Sequence, residues 1–241
     1  MSKTLEGRPD ALGWLVERPI AHRGLHDGRT VIENSLGAFA AAVENGYAIE
    51  CDVQPLADGT VATFHDESLE RLTGERGSVR QLDVDAYSRL RLSGSGEAPP
   101  TLPQTLDLVA GRVPLIVELK GFESVAPDFV ARVTRDCAGY EGPVAIMSFD
   151  HDLVSRFRND APGLPHGLTA EGTETDEFDK HKLVAASADF LSYNVKHLPN
   201  EFVKEFRASG RPVITWTVRS ADDLRVTNVY ADQMTFEGFR P

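Results

Sequence analysis

A chain of 241 residues with 41% hydrophobic and 26% charged residues has the composition of a globular protein, which excludes a fully disordered chain. Its net charge of −12 argues against nucleic acid or an anionic bilayer as the main partner, because both repel an acidic surface. Two cysteines, Cys51 and Cys137, are too few for a disulfide scaffold or a structural zinc site.

Targeting signals are missing from the sequence. The first 20 residues lack an apolar core and a small-residue cleavage site, and no apolar run approaches the roughly 20 residues of a spanning helix. We therefore expect a cytoplasmic protein without stable membrane association. The sequence carries no signal for an oligomeric state.

From about residue 17 onward, short apolar runs alternate with amphipathic stretches. The first run, 18–23, precedes a predicted helix over 33–43, which Asn34 or Ser35 caps and Gly46 stops. The apolar stripe of this helix repeats at helical spacing and consists of Leu36, Phe39, Ala40 and Val43. Later helices are predicted to follow the capping residues Asp150, Asn200 and Ser220.

Eight apolar, β-branched runs are predicted to be strands, and they occupy 18–23, 48–53, 113–119, 144–149, 166–169, 190–194, 213–218 and 231–236. Strands that alternate with helices are typical of a parallel sheet. A (β/α)8 TIM barrel needs roughly 250 residues, so one barrel would occupy nearly the whole chain. We therefore predict an α/β fold in which 1–241 forms a single barrel domain.

One further run, 60–65, does not fit a regular barrel. It follows the second strand after only six residues, whereas a parallel crossover needs about a dozen or more. An Asp-Gly pair lies between the two runs and suits a hairpin turn. We therefore predict that 60–65 pairs antiparallel with 50–56, which returns His65 to the side of Asp52.

Residues 66–100 form a polar segment rich in Gly, Ser, Arg and Asp. They follow the predicted β-hairpin directly, as a small insertion after the second strand. A segment of this length between barrel elements is either a lid over the site or a surface insertion. Within it, Leu90 and Leu92 are candidates for a small exposed apolar tip.

Carboxylates recur at the ends of two predicted strands. Successive strand side chains alternate in direction, so Glu50 and Asp52 project to one face and Cys51 to the other. Two carboxylates inside a barrel repel each other and lose hydration unless a cation lies between them. Glu118 and Lys120 end another strand, where such barrels place catalytic groups. The acidic residues together favour a metal site; an internal salt bridge between Glu118 and Lys120 is the alternative.

Histidines and an arginine complete this set. His22 and Arg23 end the first predicted strand, and His65 ends the hairpin. A guanidinium is the usual bidentate partner of a phosphate, and two histidines can divide the roles of general base and general acid near neutral pH. Gly24 allows either a close approach to a ligand or a simple turn.

In chain order, these residues resemble the glycerophosphodiester phosphodiesterase family. The resemblance rests on an ordered series of short motifs over nearly the whole barrel: His22-Arg23-Gly24, Glu33-Asn34-Ser35, Glu50-x-Asp52-Val53, Asp58-Gly59, His65-Asp66, Arg71-x-Thr73-Gly74, Glu118-x-Lys120, Ser148-Phe149 and Trp216-Thr217-Val218. It implies a distorted barrel with an inserted segment after the second strand. It also implies hydrolysis of a small glycerophosphodiester to glycerol 3-phosphate and an alcohol.

The same resemblance assigns roles to individual residues. It implies metal ligation by Glu50, Asp52 and Glu118. It implies catalysis by His22 and His65, and it implies phosphate contacts from Arg23 and Lys120. Trp216, in the last motif of the series, is predicted to bind substrate as well. A ligand set of carboxylate oxygens suits one Mg²⁺ or Ca²⁺ better than zinc.

The chain departs from this family near its end, where the family usually carries Gly-x-Asp-Gly-x-x-Thr-Asp-x-Pro. Residues 230–237 read Tyr-Ala-Asp-Gln-Met-Thr-Phe-Glu, so the usual Thr-Asp pair is missing. Two other functions stay open. A zinc amidohydrolase-type barrel requires His-x-His, whereas His22 and His26 are four residues apart. A non-catalytic protein that binds phosphorylated ligands is the second alternative.

Overall fold

A closed ring of eight parallel strands forms the centre of the structure, a computed structural model that describes residues 12–122 and 126–241. The ring consists of β1 (Ile20–Ala21), β2 (Ala48–Pro55), β4 (Leu115–Leu119), β5 (Val144–Ser148), β6 (His166–Ala170), β7 (Phe190–Asn194), β8 (Val213–Val218) and β9 (Gln233–Phe236). Each strand pairs with the next one in this order, and β9 pairs with β1, which closes the ring. The predicted TIM barrel is therefore confirmed.

Helices connect the strands, and most begin at a side chain that caps the first turn. They are α1 (Trp14–Glu17), α2 (Leu36–Glu44), α3 (Glu70–Thr73), α4 (Val84–Arg89), α5 (Leu102–Val109), α6 (Phe129–Cys137), α7 (His151–Asp160), α8 (Thr175–Ala185), α9 (Glu201–Ala208) and α10 (Ala221–Tyr230). The predicted caps Asp150, Asn200 and Ser220 accept backbone hydrogen bonds at the starts of α7, α9 and α10. No helix within the described residues is both long and apolar enough to cross a membrane.

The buried face of α2 differs from the predicted stripe. Ser35 caps this helix, and its fully buried residues are Ala38, Phe39 and Ala42; of the predicted stripe, Phe39 is fully buried, whereas Leu36, Ala40 and Val43 are only partly buried. Small residues are required here because the turn after β1 approaches closely: a Cβ added at Gly24 would lie 2.8 Å from that of Ala38. Gly24, with φ of +82°, therefore serves both a turn and close helix packing.

Side chains of β2 alternate between two layers of the barrel. Ile49, Cys51 and Val53 join the large core between the strands and the surrounding helices. Glu50 and Asp52 face the other way, into the barrel, as the sequence predicted. A second apolar layer, to which Ile20, Ala48, Ile116, Ala145, Ile214 and Leu15 belong, fills the barrel. The carboxylates follow Ala48 along β2, towards the carboxyl end of that strand.

The predicted hairpin is present. One strand outside the ring, β3 (Val61–Thr63), pairs antiparallel with Val53 to Pro55 of β2. The N–H of Phe64 then donates to the carbonyl of Asp52 over 2.9 Å. Gly59, with φ of +85°, makes the turn. The hairpin returns the chain to Asp52, so His65 follows directly at the site.

The insertion folds around its own small core. In this core, Leu69, Leu72, Val79, Tyr87, Leu90 and Leu92 of the insertion pack against Ile32, Leu56, Ala62 and Phe64, which lie in or near the hairpin and in the loop after β1. The Tyr87 hydroxyl donates to the carbonyl of Thr63 over 3.0 Å, which ties the insertion to β3. The prediction of an exposed tip at Leu90 and Leu92 is therefore wrong, because both side chains are buried in this core.

A pair of leucine substitutions tests this second core. Leu92 is 2% exposed and Leu183 on α8 is 80% exposed. We expect Leu92→Ala to lower the free energy of unfolding by about 2–5 kcal/mol, because it leaves a cavity. Leu183→Ala should change it by no more than about 0.5 kcal/mol. Urea denaturation followed by circular dichroism measures both, and equal stabilities for the two variants would show that the insertion is not packed.

Candidate active site

Strand register brings three carboxylates together inside the barrel. Asp52 on β2 lies directly opposite Glu118 on β4, and Glu50 precedes Asp52 by two residues on the same face. Oxygen atoms of all three lie within 4.8 Å of one another, and all three residues are buried. Such a group needs positive charge nearby, since burial removes the water that would otherwise solvate it.

Two basic side chains and one amide surround Asp52. Lys120 Nζ lies 2.7 Å from Asp52 Oδ1 and also donates to Glu118, so the alternative of an internal Glu118–Lys120 salt bridge is present. Arg23 Nε lies 3.1 Å from Asp52 Oδ2. Asn34 donates to Asp52 Oδ2 over 2.8 Å and accepts the backbone N–H of Asp52 over 3.2 Å.

Glu50 receives much less compensation than Asp52. Burial by itself would raise the pKa of Asp52, but Lys120 and Arg23 outweigh it and hold that pKa below the ordinary value. Burial, together with Asp52 and Glu118, raises the pKa of Glu50 well above its usual range. Its contacts are the backbone N–H of Arg23 at 3.0 Å and His22 Nε2 at 4.0 Å. Charge is therefore least balanced at Glu50.

The donor set fits a hard divalent cation. Three carboxylates share two basic side chains, Lys120 and Arg23, and Arg23 also pairs with Glu33, so at least one of the three lacks a cationic partner when all are ionised. Within the described part of the chain, the side-chain cluster close enough to hold a metal ion consists of these carboxylates and no histidine. An all-oxygen set suits Mg²⁺ or Ca²⁺ and does not match a zinc site built from histidines. This observation disfavours the amidohydrolase alternative.

Each predicted catalytic histidine binds a carboxylate through Nδ1. His22 Nδ1 lies 2.7 Å from Glu237 Oε2, and His65 Nδ1 lies 2.7 Å from Asp66 Oδ1. Burial lowers the pKa of His22, against the opposing effect of the hydrogen bond to Glu237. With Nδ1 engaged in both rings, the Nε2 atoms are left for proton transfer.

A chain of alternating charges connects the insertion to the barrel. Arg71 on α3 binds Asp66 at 2.6 and 2.8 Å and binds Glu33 through two contacts of 2.8 Å. Glu33 in turn accepts a hydrogen bond of 2.7 Å from Arg23. The insertion therefore supports His65 and Arg23 at once, a role that the sequence analysis did not assign to Glu33, Asp66 or Arg71.

Two residues of the loop after β1 hold an uncommon backbone conformation. Arg23 and Asn34 both have φ of +55°, and the N–H of Asn34 donates to the carbonyl of Arg23 over 2.9 Å. Non-glycine residues in this region cost of the order of 1–3 kcal/mol, and they cluster at functional sites. Both residues also bind Asp52, so the loop conformation and the carboxylate group stabilise each other.

One cavity of about 260 Å³ brings all eight predicted site residues together. Its lining includes His22, Arg23, Glu50, Asp52, His65, Glu118, Lys120 and Trp216. Their individual roles stay predictions. Other lining residues had no predicted role, among them Phe149, whose ring meets that of Trp216 edge-on with 5.1 Å between the ring centroids. The motif Ser148-Phe149 was the signal for it.

The atypical end of the chain still closes the barrel. β9 pairs with both β1 and β8. When 230–237 is placed on the family pattern, Glu237 occupies the position of the usual Asp and Phe236 that of the Thr. The Glu237 carboxylate binds His22 over 2.7 Å and Arg219 over 2.8 Å. Neither Glu237 nor Arg219 was predicted from the sequence; the placement of 230–237 on the family pattern was the available signal for Glu237.

Solved structures share this fold over nearly the whole chain. One from Silicibacter pomeroyi is 26% identical, covers 91% of this chain and 89% of its own, and has a TM-score of 0.79. An Oleispira antarctica phosphodiesterase is 20% identical, covers 92% and 93% of the two chains, and has a TM-score of 0.82. At 20% identity, the similarity to the Oleispira antarctica structure shows only that the two chains share a fold.

Sequence relatives lead to the family. A glycerophosphodiester phosphodiesterase of Caldanaerobacter subterraneus subsp. tengcongensis is 28% identical over 215 residues, which cover 85% of this chain and 87% of the relative. Glycerophosphodiester phosphodiesterase 1 of Bos taurus is 24% identical over 85% of this chain and 72% of its own. The family model described as "Glycerophosphoryl diester phosphodiesterase family" matches residues 22–236. The chain therefore belongs to the glycerophosphoryl diester phosphodiesterase family, whose members are hydrolases.

Proposed function

We propose that the protein hydrolyses small glycerophosphodiesters to glycerol 3-phosphate and an alcohol with one divalent cation, Mg²⁺ or Ca²⁺. The observation that carries this proposal is the single cavity that collects three buried carboxylates, two histidines and two basic side chains. The relatives named above are glycerophosphodiester phosphodiesterases, and the Oleispira antarctica neighbour is described in complex with the product sn-glycerol-3-phosphate. Both facts support a small-molecule substrate.

Glu50, Asp52 and Glu118 would hold the cation. When bound, such an ion acts as a Lewis acid on a phosphate oxygen and lowers the pKa of a hydroxyl or water. Arg23 and Lys120 line the same cavity, where their charges offset the negative charge that grows on the phosphate in the transition state. Trp216 and Phe149 give the cavity an apolar wall for the carbon skeleton of the substrate.

His22 and His65 exchange protons with the nucleophile and the leaving alkoxide in this proposal. The carboxylates on their Nδ1 atoms orient both rings and stabilise the imidazolium that forms when either ring accepts a proton. Either a water molecule attacks the phosphorus and releases the alcohol directly, or a hydroxyl of the substrate's own glycerol attacks first, which releases the alcohol and forms a cyclic phosphate that water then opens to glycerol 3-phosphate.

Turnover separates this function from non-catalytic binding. Purified protein is treated with a chelator and then assayed for glycerol 3-phosphate release from glycerophosphocholine, with and without added Mg²⁺ or Ca²⁺. The proposal expects release that depends on the metal. Full activity without metal would contradict the metal assignment, and binding without turnover of glycerophosphodiesters would support the non-catalytic alternative.

Conservative substitutions test the metal ligands. We expect Glu50→Gln, Asp52→Asn and Glu118→Gln each to weaken divalent-cation binding and lower activity, with partial recovery at higher metal concentration, because each removes one charged ligand. Titration calorimetry with Mg²⁺ or Ca²⁺ measures the affinity. Glu205→Gln is the matched control, since Glu205 forms an exposed ion pair with Lys182 outside the cavity. Wild-type metal affinity in all three variants would refute the assignment.

The histidines should behave differently from the carboxylates. We expect His22→Ala and His65→Ala each to lower kcat by roughly 10²–10⁴, the usual size of a general acid–base contribution. Metal affinity should change little, because neither ring belongs to the carboxylate cluster. His151→Ala, on α7 and outside the cavity lining, is the control. A histidine variant that no longer binds metal would show that this histidine is a ligand.

The substrate preference follows from the charge and packing of the chain. We expect glycerophosphocholine and glycerophosphoethanolamine to be cleaved faster than phospholipid or lysophospholipid vesicles at matched concentration. The net charge of −12 disfavours anionic membrane surfaces, and Leu90 and Leu92 are buried and do not form an apolar anchor. Faster cleavage of vesicles would mean that the insertion docks on membranes.

A further inference from the structure

Glu237 lies beside His22 at the junction between the last strand and the mouth of the barrel. Its Oε2 atom lies 2.7 Å from His22 Nδ1 and 2.8 Å from Arg219 Nη2. Burial would raise the pKa of Glu237, but the hydrogen bonds from His22 and Arg219 lower it to about 2. The side chain is therefore an ionised carboxylate at neutral pH.

An ionised carboxylate can only accept hydrogen bonds, so the contact requires a proton on His22 Nδ1. A neutral imidazole with its proton on Nδ1 has its lone pair on Nε2. In this structure Nε2 lies 4.0 Å from Glu50 Oε2, beside the carboxylate group of the cavity. The contact at Nδ1 thus decides which ring nitrogen can take up a proton at the reaction site.

We propose that Glu237 is a positioning residue, which keeps His22 in the tautomer with the proton on Nδ1 and the lone pair of Nε2 facing the cavity. Arg219 holds the carboxylate in place from the solvent side. This inference rests on the proposed function, in which His22 transfers a proton. It also assigns a role to the atypical end of the chain, since Glu237 supplies a carboxylate where the family pattern has the shorter Asp.

Closure of the barrel does not require the Glu237 side chain. The N–H of His22 donates to the carbonyl of Phe236 over 3.0 Å, and the N–H of Glu237 donates to the carbonyl of Val218 over 3.0 Å. These backbone bonds, with the β1–β9 pairing, hold the seam whatever side chain stands at 237. Within the described residues, Glu237 is also absent from the carboxylate cluster that suits a metal ion.

Glu237→Gln tests the inference because it preserves size and removes the charge. The amide can donate a hydrogen bond to Nδ1, which favours the opposite tautomer. We expect kcat for glycerophosphocholine to fall by at least about 10-fold and by no more than in His22→Ala, because the change can remove at most the roughly 10²–10⁴-fold acid–base contribution of His22. KM, metal affinity and the unfolding midpoint should stay near wild type. Glu237→Asp should recover part of the loss, and Glu205→Gln should show none.

Nuclear magnetic resonance reads the tautomer directly and independently of activity. Two-bond ¹H–¹⁵N correlation spectra of the metal-free protein at pH 8 identify the protonated ring nitrogen, with His22→Ala used to assign the signal. We expect the proton on Nδ1 in the wild type and on Nε2, or divided between both, in Glu237→Gln.

Three results would overturn the inference: a wild-type His22 protonated on Nε2, an unchanged kcat in Glu237→Gln, or a loss of metal affinity in that variant. Failure of the proposed function is distinguishable from these results. In that case the wild type releases no glycerol 3-phosphate, while the spectra still report which nitrogen of His22 carries the proton.

Discussion

Three carboxylates buried side by side at one end of a barrel are the constraint on which the rest of this site depends. Glu50, Asp52 and Glu118 lose their hydration and repel one another, and a buried charge without a partner costs several kcal/mol. Ion pairs with Lys120 and Arg23 offset most of this cost at Asp52. The charge that they leave uncompensated is concentrated at Glu50, and this imbalance supports the proposal that the group binds a cation.

A chain of ion pairs connects these buried charges to the insertion and explains what the insertion does. Arg23 binds Glu33, Glu33 binds Arg71, and Arg71 binds Asp66, which is the partner of His65. Arg71 belongs to a segment whose backbone is fixed by its own buried core, and ion pairs with Asp66 and Glu33 hold its half-exposed guanidinium. The insertion thereby acts as a rigid support for one histidine. The end of the chain supports the other, through Glu237.

Much of the fold and part of the site could be predicted because the relevant physics is local. Apolar, β-branched runs separated by capped helices predicted the eight strands, and an Asp-Gly turn after a short connection predicted the hairpin. The two-residue period of a strand placed Glu50 and Asp52 on one face. The individual roles of the site residues came from a resemblance, and they stay predictions.

What the sequence by itself determined was therefore the set of elements and the residue types at their ends; the contacts among those residues were decided by the tertiary structure. The register between β2 and β4 sets Glu118 opposite Asp52, and no local pattern encodes that register. His22 and Glu237 are 215 positions apart and meet only because the last strand closes on the first. Leu90 and Leu92 looked exposed in a polar segment but are buried, since burial depends on which distant surfaces a fold brings together.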